Sequence, residues 1–505
     1  MPDIGHKPPS QVSPFHASLD TPLLSFGGEV WDIRAACEGV KILGMPGSAK
    51  TSGSAKAIRT ACLKAGMGAL FGCAKIEEAP MLKAEIEAAG RGADLVVIDA
   101  SARERFNILD FAARELGGPG FEGNIVEVMR RMSEAGRVAS DKGGSDSGEN
   151  SYFVDGAMKW LDHAFPLLLV AEGTIRLSDL NKFITTLPGS KEELHSQEWQ
   201  SGYCAKVHQV VAHKSRERGP AGAYAMRVIN EHGIFFLTEV PALDNRPRSS
   251  IASTLTNLIN PFLSGKLAEL FCTDTTITPD ACREGKLIVM DLPTLRYGPM
   301  GAVAQSLFKY LFGLSMQGRP VTPETRPVLL YLDEVHNFLS VSDADLLATA
   351  RSAKVCPVFI TQDQPTFFAK MDKEAAQSLL GKFGTRIFHA NLSYETNLAA
   401  AELIGKVEKF HRTETQSDTE SSTSGGGQQD EHGSSQGGRT KTSSRGRSTS
   451  GYMDFEIPPD YFATQLRTGT QANNFKVDAI VIRGNRNWTR TGRHWIKAEF
   501  DQRLR

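Results

Sequence analysis

The stretch that decides the fold is Pro327-Val328-Leu329-Leu330-Tyr331-Leu332-Asp333-Glu334, an apolar run that ends in two adjacent carboxylates. A near-continuous apolar run is typical of a strand buried on both faces of a parallel sheet. Buried carboxylates are costly unless they are paired or bind a cation, and open α/β sheets bind ligands at the carboxyl edge of their strands. The pattern therefore predicts a Walker B segment, in which one acid holds Mg²⁺ and the next polarises the water that attacks a γ-phosphate. The alternative is a strand that runs into a surface turn.

A phosphate-binding loop near the other end of the chain supports this interpretation. The strand Val40-Lys41-Ile42-Leu43 precedes Gly44-Met45-Pro46-Gly47-Ser48-Ala49-Lys50-Thr51, and a helix-forming run follows. In the P-loop pattern G-x-x-x-x-G-K-[ST], backbone N–H groups surround the phosphates, the lysine reaches the β- and γ-oxygens, and the hydroxyl binds Mg²⁺. Ala49 stands at the second glycine. If that position needs a positive φ, alanine costs roughly 1–2 kcal/mol and its methyl group intrudes on the phosphates. The alternative, a small-residue loop with an isolated lysine, is weakened because both motifs occur together.

Composition places the chain among ordinary globular proteins. Its 505 residues allow two or three domains. The net charge of -1 excludes bulk basicity, so any DNA contact must come from local patches or from a ring of subunits. Seven scattered cysteines without a C-x-x-C pair indicate reduced thiols rather than a disulfide framework or a zinc site. The sequence shows no signal pattern and no apolar run long enough to span a bilayer, so we expect a cytoplasmic chain that reaches a membrane through partners.

Changes in composition divide the chain into regions. Residues 1–30 are rich in proline and polar residues and predict an extended lead-in. Residues 31–120 and 271–505 alternate strand and helix patterns, which is typical of a mainly parallel α/β sheet. Residues 121–270 show helical periodicity and predict an all-α insertion domain. Residues 413–450, rich in Ser, Thr, Gly and Gln, predict a disordered insertion. The further strands predicted for the sheet are Gly68–Gly72, Asp94–Asp99, Lys286–Asp291, Val358–Thr361, Arg386–His389 and Lys476–Arg483.

Taken together, these residues resemble the type IV coupling proteins of the TraG/TraD type, the conjugative DNA-transfer ATPases of the FtsK/HerA motor class. Phe106–Asp110 is similar to the family's Asn-Pro-Leu segment, and Gly285–Pro293 is similar to its approach to Walker B. Cys73–Glu77 is similar to its Asp-Pro-Lys-Gly-Glu turn, of which it keeps the lysine and the final glutamate. The departures are Ala49, the altered turn and the lack of N-terminal membrane helices.

The resemblance implies a RecA-like P-loop NTPase fold with an all-α domain, and ATP with Mg²⁺ at the site. Residues 44–51 would bind the nucleotide, and Thr51 and Asp333 would hold the metal. Glu334 would act on the attacking water, and Gln362 would sense the γ-phosphate. Arg351 and Arg386 are the candidate arginine fingers, which act across subunit interfaces in ring ATPases. The alternatives are a capping amide for Gln362 and a surface ion pair for either arginine.

The resemblance also implies partners: single- or double-stranded DNA, the relaxosome with its relaxase, secretion-channel proteins, and further copies of the chain in a hexameric ring. Membrane contact would then occur at the inner membrane through those partners. Two alternatives stay open. One is a DNA pump of the same motor class in another DNA-processing system. The other is an ATP-binding scaffold whose hydrolysis is impaired because Ala49 disturbs the P-loop.

Overall fold

The computed structural model describes residues 18–115, 123–139, 148–422, 439–484 and 486–503. The expectations for residues 1–17 and for residues 423–438 of the Ser/Gly-rich segment lie outside the described residues. The strands of the described part are β1 (Pro22–Phe26), β2 (Glu29–Asp32), β3 (Val40–Leu43), β4 (Gly68–Gly72), β5 (Leu95–Ile98), β6 (Leu287–Met290), β7 (Val328–Leu332), β8 (Val355–Thr361), β9 (Thr385–Phe388), β10 (Lys406–Ser422), β11 (Arg439–Phe455), β12 (Lys476–Arg483) and β13 (Trp495–Asp501).

Nine of these strands form one sheet in the order β13-β12-β9-β3-β8-β7-β4-β6-β5. The seven strands from β9 to β5 are parallel, and β12 and β13 add to one edge in antiparallel orientation. Every residue of β3, β4, β6, β7 and β8 is buried, which explains why these strands are mainly apolar; the one charged residue in them is Lys41 of β3. The predicted mainly parallel sheet is confirmed, and each predicted strand is present with small shifts at its ends.

Helices cover both faces of this sheet. The chain segment that connects β5 to β6 forms a further group of helices. The helices of the described part are α1 (Ile33–Cys37), α2 (Lys56–Lys64), α3 (Glu78–Ala88), α4 (Ile108–Glu115), α5 (Gly123–Ala139), α6 (Gly148–Glu172), α7 (Leu177–Thr185), α8 (Gln197–Ser201), α9 (Tyr203–Lys214), α10 (Pro220–Val228), α11 (Ile234–Thr238), α12 (Asn245–Ile259), α13 (Gly265–Phe271), α14 (Thr294–Gly318), α15 (Asp343–Thr349), α16 (Pro365–Phe368), α17 (Lys373–Gly381), α18 (Tyr394–Ile404) and α19 (Pro459–Thr464). None of them combines the length and apolar composition needed to cross a bilayer, within the residues described.

Two apolar layers hold these elements together, one on each face of the sheet. On one face, α2 and α3 bury Ile58 and Leu82 against the sheet, together with the aromatic side chain of Trp31. On the other face, α14 continues into the apolar core of the helical domain, where Leu161 and Phe183 are fully buried. Between β5 and β6 the described residues form helices and no strand, so the predicted all-α domain is confirmed.

Two sequence expectations are wrong. Residues 22–30 are not an extended lead-in, because β1 and β2 form an antiparallel hairpin there whose Phe26 packs against Trp31. The described parts of 413–450 are not disordered, because β10 and β11 pair in a regular antiparallel register from Lys406↔Phe455 to Ser422↔Arg439. A polar segment can be ordered without a core, because cross-strand backbone hydrogen bonds satisfy its N–H and C=O groups.

Candidate nucleotide-binding site

The P-loop adopts the backbone conformation that the sequence pattern requires. Gly47 has φ +77°, and Ala49 has φ +62°, which is the left-handed region that L-residues with a Cβ avoid. The condition under which alanine is costly at this position, a positive φ, is therefore met. Its side chain is half-buried and packs against the apolar layer on the α2 side of the sheet. This packing offsets part of the local strain.

Backbone hydrogen bonds from two neighbouring strands fix the start of the loop. Gly44 N–H donates to the Gln362 carbonyl at 3.0 Å, and Met45 N–H donates to the Ala390 carbonyl at 2.9 Å. A Cβ at Gly44 would lie 2.5 Å from Ser48 Oγ and 2.8 Å from His389 Cβ. Glycine is needed there because the loop passes so close to the end of β9.

The two predicted metal ligands meet at the carboxyl edge of the sheet. Thr51 Oγ1 donates a hydrogen bond of 2.8 Å to Asp333 Oδ2, although the two residues are 282 positions apart in sequence. Asp333 is almost fully buried. In the same loop the buried Ser48 hydroxyl has no hydrogen-bond partner among the described residues. The Thr51 hydroxyl and the Asp333 carboxylate are oxygen ligands of the kind that Mg²⁺ prefers. The unpartnered Ser48 hydroxyl can donate a hydrogen bond to a phosphate oxygen. These residues therefore fit Mg²⁺ and a phosphate chain.

Lys50 lies in the same edge of the sheet and is 7% exposed. Burial lowers its pKa, the charges of Glu334 and Asp333 raise it in part, and the charge of Lys75 lowers it further. The result is a desolvated ammonium beside two carboxylates. Such a group interacts strongly with an anion that enters the site, because little water screens it.

Glu334 follows β7 in a strained backbone conformation, with φ +46°. Its Oε1 accepts a hydrogen bond of 2.7 Å from Lys75 Nζ, whereas its Oε2 has no hydrogen-bond partner among the described residues and lies 3.6 Å from His336 Nδ1. Burial raises the pKa of Glu334, but the hydrogen bond from Lys75 and the charges of Lys75 and Lys50 outweigh it and lower the pKa below its ordinary value. The carboxylate is therefore ionised, with Oε1 bound by Lys75 and Oε2 buried without a hydrogen-bond partner among the described residues.

Lys75 is positioned by a turn at the carboxyl end of β4. The buried Glu78 carboxylate accepts the N–H groups of Ala74 and Lys75 at 2.7 and 3.2 Å. Burial, followed by the charge of Asp333, raises the pKa of Glu78 to about 7. Sequence reasoning did not assign Lys75 to the site, and it named the exposed Glu77 rather than Glu78 as the retained acid of this turn. The signal in the sequence is the position of Lys75 shortly after β4, but only the folded sheet shows that β4 lies directly beside β7.

Gln362 lies where the sequence placed it, directly after β8, which pairs with both β3 and β7. Its carbonyl accepts hydrogen bonds from Gly44 N–H and from Asn391 Nδ2 at 2.8 Å. The Gln362 carbonyl therefore links the P-loop to the end of β8, the strand that lies between β3 and the Walker B strand β7.

The two candidate arginine fingers lie elsewhere. Arg351 precedes β8 at the amino edge of the sheet, with its side chain 61% exposed and 3.8 Å from Glu38. Arg386 lies near the start of β9, where it is the backbone register partner of Lys41 in β3, and its side chain donates a hydrogen bond of 3.1 Å to the Gly381 carbonyl. The structure brings neither arginine to the nucleotide site of its own chain.

Comparisons with known proteins agree with this geometry. A family model described as the TraM recognition site of TraD and TraG matches residues 327–449. The unbound bacterial conjugative coupling protein TrwBΔN70 has 14% sequence identity and a TM-score of 0.54, with 97% of this chain and 91% of that chain covered. The plasmid coupling protein TrwB in complex with ADP and Mg²⁺ has 13% identity and a TM-score of 0.56, covering 96% of this chain and 89% of that one. The complex of TrwB with the ATP analogue ADPNP has 13% identity and a TM-score of 0.55, covering 96% and 91%. No curated protein matches the chain.

Fold and site together show the RecA-like P-loop NTPase fold with an all-α domain. Within that class, the predicted resemblance to type IV coupling proteins is confirmed, because the chain shares the TrwB fold over nearly its whole length and part of its motor domain matches the TraD/TraG family model.

Proposed function

We propose that the chain is a coupling ATPase, which hydrolyses ATP to recruit or move DNA into a type IV secretion channel during conjugation. The observation that carries the proposal is the Thr51–Asp333 hydrogen bond, which joins the P-loop to the Walker B strand inside a fold shared with conjugative coupling proteins. The nucleotide and Mg²⁺ complexes of TrwB support the same ligands for this site.

In this proposal the loop residues 44–51 surround the phosphates, with Lys50 on the β- and γ-oxygens. Thr51 and Asp333 would hold Mg²⁺, which when bound neutralises charge that develops on the phosphates. Glu334 accepts a hydrogen bond from the attacking water through Oε2, because Lys75 already engages Oε1. The carboxylate thereby orients the water and would take up its proton as the new oxygen–phosphorus bond forms and the bond between the γ-phosphorus and the β–γ bridging oxygen breaks, which releases ADP.

Two further roles depend on neighbouring groups. Gln362 senses the γ-phosphate from its place between the P-loop and Walker B strands. We propose that Arg351 or Arg386 acts as an arginine finger in the nucleotide site of an adjacent copy. Both lie at the opposite edge of the sheet from their own P-loop. We therefore propose that the chain works as a ring of six subunits.

The proposed partners are DNA, the relaxosome with its relaxase, and the secretion channel. The family model's description, a TraM recognition site, supports contact with relaxosome proteins through residues 327–449. We propose a cytoplasmic location, with contact to the inner membrane made through the channel proteins.

The test is ATP turnover measured against protein concentration, with and without single- and double-stranded DNA, at two salt concentrations. We expect DNA to stimulate turnover, because it orders the subunit interfaces at which trans-acting arginines complete each site. Turnover should rise steeply with protein concentration because assembly precedes catalysis, and DNA affinity should fall steeply with salt. Flat, DNA-independent turnover from a protein that stays monomeric would reject the motor and favour the ATP-binding scaffold.

A further inference from the structure

The β10–β11 hairpin is long, regular and open on both edges. Its two strands of 17 residues pair without a register shift, and in the described chain they form a sheet of their own. At about 3.4 Å per residue it extends about 55 Å. Neither strand contains proline or a bulge, two of the devices that prevent a strand edge from pairing. Charged side chains are a third such device, but on this hairpin they are mainly acidic on one strand and basic on the other. An isolated two-stranded ribbon is marginally stable in water, so this hairpin is suited to gaining a further strand.

The hairpin has two chemically different faces beyond its root. In an antiparallel pair, residues directly opposite each other share a face, and the faces alternate along each strand. One face carries hydroxyl side chains without a formal charge. Its residues are Thr413, Thr415, Ser417, Thr419 and Ser421 on β10, and Thr440, Thr442, Ser444, Ser448 and Ser450 on β11.

The opposite face carries an acidic row on one strand and a basic row on the other. The acidic row is Glu414, Asp418 and Glu420 on β10, and the basic row is Lys441, Arg445 and Arg447 on β11. Arg439 extends the basic row on the same face, and Arg412, at the root end of β10, is a basic residue on the acidic strand. Within the hairpin, Glu414 contacts Arg447 at 2.9 Å and Glu420 contacts Lys441 at 2.6 Å. These side chains are 62–77% exposed, so the internal pairs stabilise the hairpin little and remain accessible to a second ribbon.

The hairpin leaves the motor domain at the edge opposite the nucleotide site. Its first strand follows α18, whose Leu403 carbonyl accepts a hydrogen bond of 3.0 Å from His494 Nε2. The His494 carbonyl accepts from Arg483 N–H, and Arg483 pairs with Thr385 at the amino end of β9. The P-loop lies at the carboxyl ends of these parallel strands. Changes in the distal hairpin therefore leave the nucleotide site intact.

We propose that the hairpin is an assembly arm, in which β10 of one copy pairs edge to edge with β11 of the neighbouring copy. This inference rests on the ring of the proposed function and names a contact that builds it. When adjacent hairpins point in the same direction, β10 of one copy runs antiparallel to β11 of the next. The acidic row of one copy then lies beside the basic row of its neighbour.

Charge selects this arrangement over its alternatives. Pairing β10 with β10, or β11 with β11, places like rows side by side, and like charges directly opposite are destabilising. Pairing β10 with β11 repeats between copies the acid–base contacts that Glu414–Arg447 and Glu420–Lys441 make within one copy. The occupant that the two edges and their charges fit is thus a second copy of the same hairpin.

Cross-linking between singly substituted chains tests the contact. Thr415→Cys is mixed in turn with Thr442→Cys, Ser444→Cys, Ser448→Cys or Ser450→Cys, all on the uncharged face, and the mixture is mildly oxidised. The seven native cysteines are buried, so the wild type provides a low background. We expect at least one mixture to form a two-chain disulfide, and Thr415→Cys alone to form none. The double variant Thr415→Cys/Gly446→Cys is the folding control, because these positions are opposite each other within one hairpin.

Reversal of the charged rows provides the second test. One variant carries Glu414→Lys, Asp418→Lys and Glu420→Lys, so both of its rows are basic; the other carries Lys441→Glu, Arg445→Glu and Arg447→Glu, so both are acidic. Each variant alone should self-associate with a Kd raised about tenfold or more at low salt. An equimolar mixture should recover assembly, because basic and acidic edges then alternate.

The outcomes separate this inference from the proposed function. Cross-linking in no mixture, while the folding control closes within one chain, would overturn the assembly arm. A mixture of row variants that assembles no better than either alone would also overturn it, provided that Thr415→Cys/Gly446→Cys still closes within one chain in each row variant. A wild type that still assembles and shows DNA-stimulated turnover would leave the coupling ATPase standing. Binding of a relaxosome protein to the hairpin without any contact between copies would likewise overturn the assembly arm.

Discussion

The ammonium nitrogen of Lys75 lies 2.7 Å from Oε1 of Glu334, although the two residues are 259 positions apart in sequence. The contact joins the turn after β4 to the Walker B acid and leaves Glu334 Oε2 without a hydrogen-bond partner among the described residues. Lys75 is 38% exposed, whereas Glu334 is 7% exposed by side chain. The pair therefore consists of a buried carboxylate whose orientation depends on a cation at the rim of the site.

Removal of this cation should impair chemistry more than binding. We expect Lys75→Met to lower kcat for ATP by about tenfold or more while KM changes little, because Glu334 loses the contact that orients it. Lys75→Arg should restore part of the loss. Lys83→Met is the matched control, since Lys83 has similar exposure and pairs with Asp291 at 3.1 Å. An unchanged kcat in Lys75→Met would contradict the positioning role.

Binding and hydrolysis should separate at Lys50 and Glu334. Lys50→Ala should abolish ATP binding, because the lysine supplies charge to the phosphates in the ground state. Glu334→Gln should bind ATP with Mg²⁺ and fail to hydrolyse it, because the carboxylate is needed mainly in the transition state. Titration calorimetry and phosphate release measure the two effects, with Lys64→Ala at the exposed end of α2 as the control. Equal nucleotide affinity for wild type and Lys50→Ala would reject this loop as the nucleotide site.

Relief of backbone strain should be visible at Ala49. Alanine at φ +62° costs roughly 1–2 kcal/mol, but glycine adds about 0.4–1 kcal/mol of chain entropy to the unfolded state. We therefore expect Ala49→Gly to change stability by about 1 kcal/mol or less. It should raise kcat/KM by about tenfold for each 1.4 kcal/mol of strain that limits the reaction. Ala49→Val, a β-branched residue at the same φ, should lower both quantities. A rate that is unchanged or lower in Ala49→Gly would show that the loop is adapted to alanine.

The buried lysine of β3 predicts a pH dependence of stability. Burial, followed by the charge of Arg386, lowers the pKa of Lys41 to about 7, from 10.5 in the unfolded chain. Between these values the unfolded state binds more protons, so the stability of the wild type should rise with pH by up to about 1.4 kcal/mol per pH unit. In Lys41→Met this contribution is absent. The difference in unfolding free energy, measured by urea titration, should favour the variant at pH 7 and shrink toward pH 10.5. A difference that is independent of pH would contradict the prediction.

Much of the fold could be predicted from the sequence, because a few consecutive residues specify each strand or loop. A fully buried strand is largely apolar, so β4, β6 and β7 can be recognised within five residues, and β3 can be recognised although it also buries Lys41. The P-loop is also local, since its glycines, lysine and hydroxyl serve one turn between a strand and a helix. The positive φ of Ala49 could be anticipated for the same reason.

Contacts between distant segments could not be read in this way. The site depends on the order of strands in the sheet, which places β8 between β3 and β7 and β4 on the far side of β7. That order brings Lys75 to Glu334 and leaves Arg351 and Arg386 at the opposite edge, none of which a local pattern specifies.

The hairpin shows the same division between sequence and structure. Its composition determined that β10 and β11 would bury nothing, and the strands are indeed exposed. Whether such a segment is ordered depends on pairing between Lys406–Ser422 and Arg439–Phe455, through backbone hydrogen bonds that any sequence can make. Side-chain patterns therefore determined which segments enter the core, and the tertiary structure decided which segments meet, because pairing depends on the packing of the whole chain.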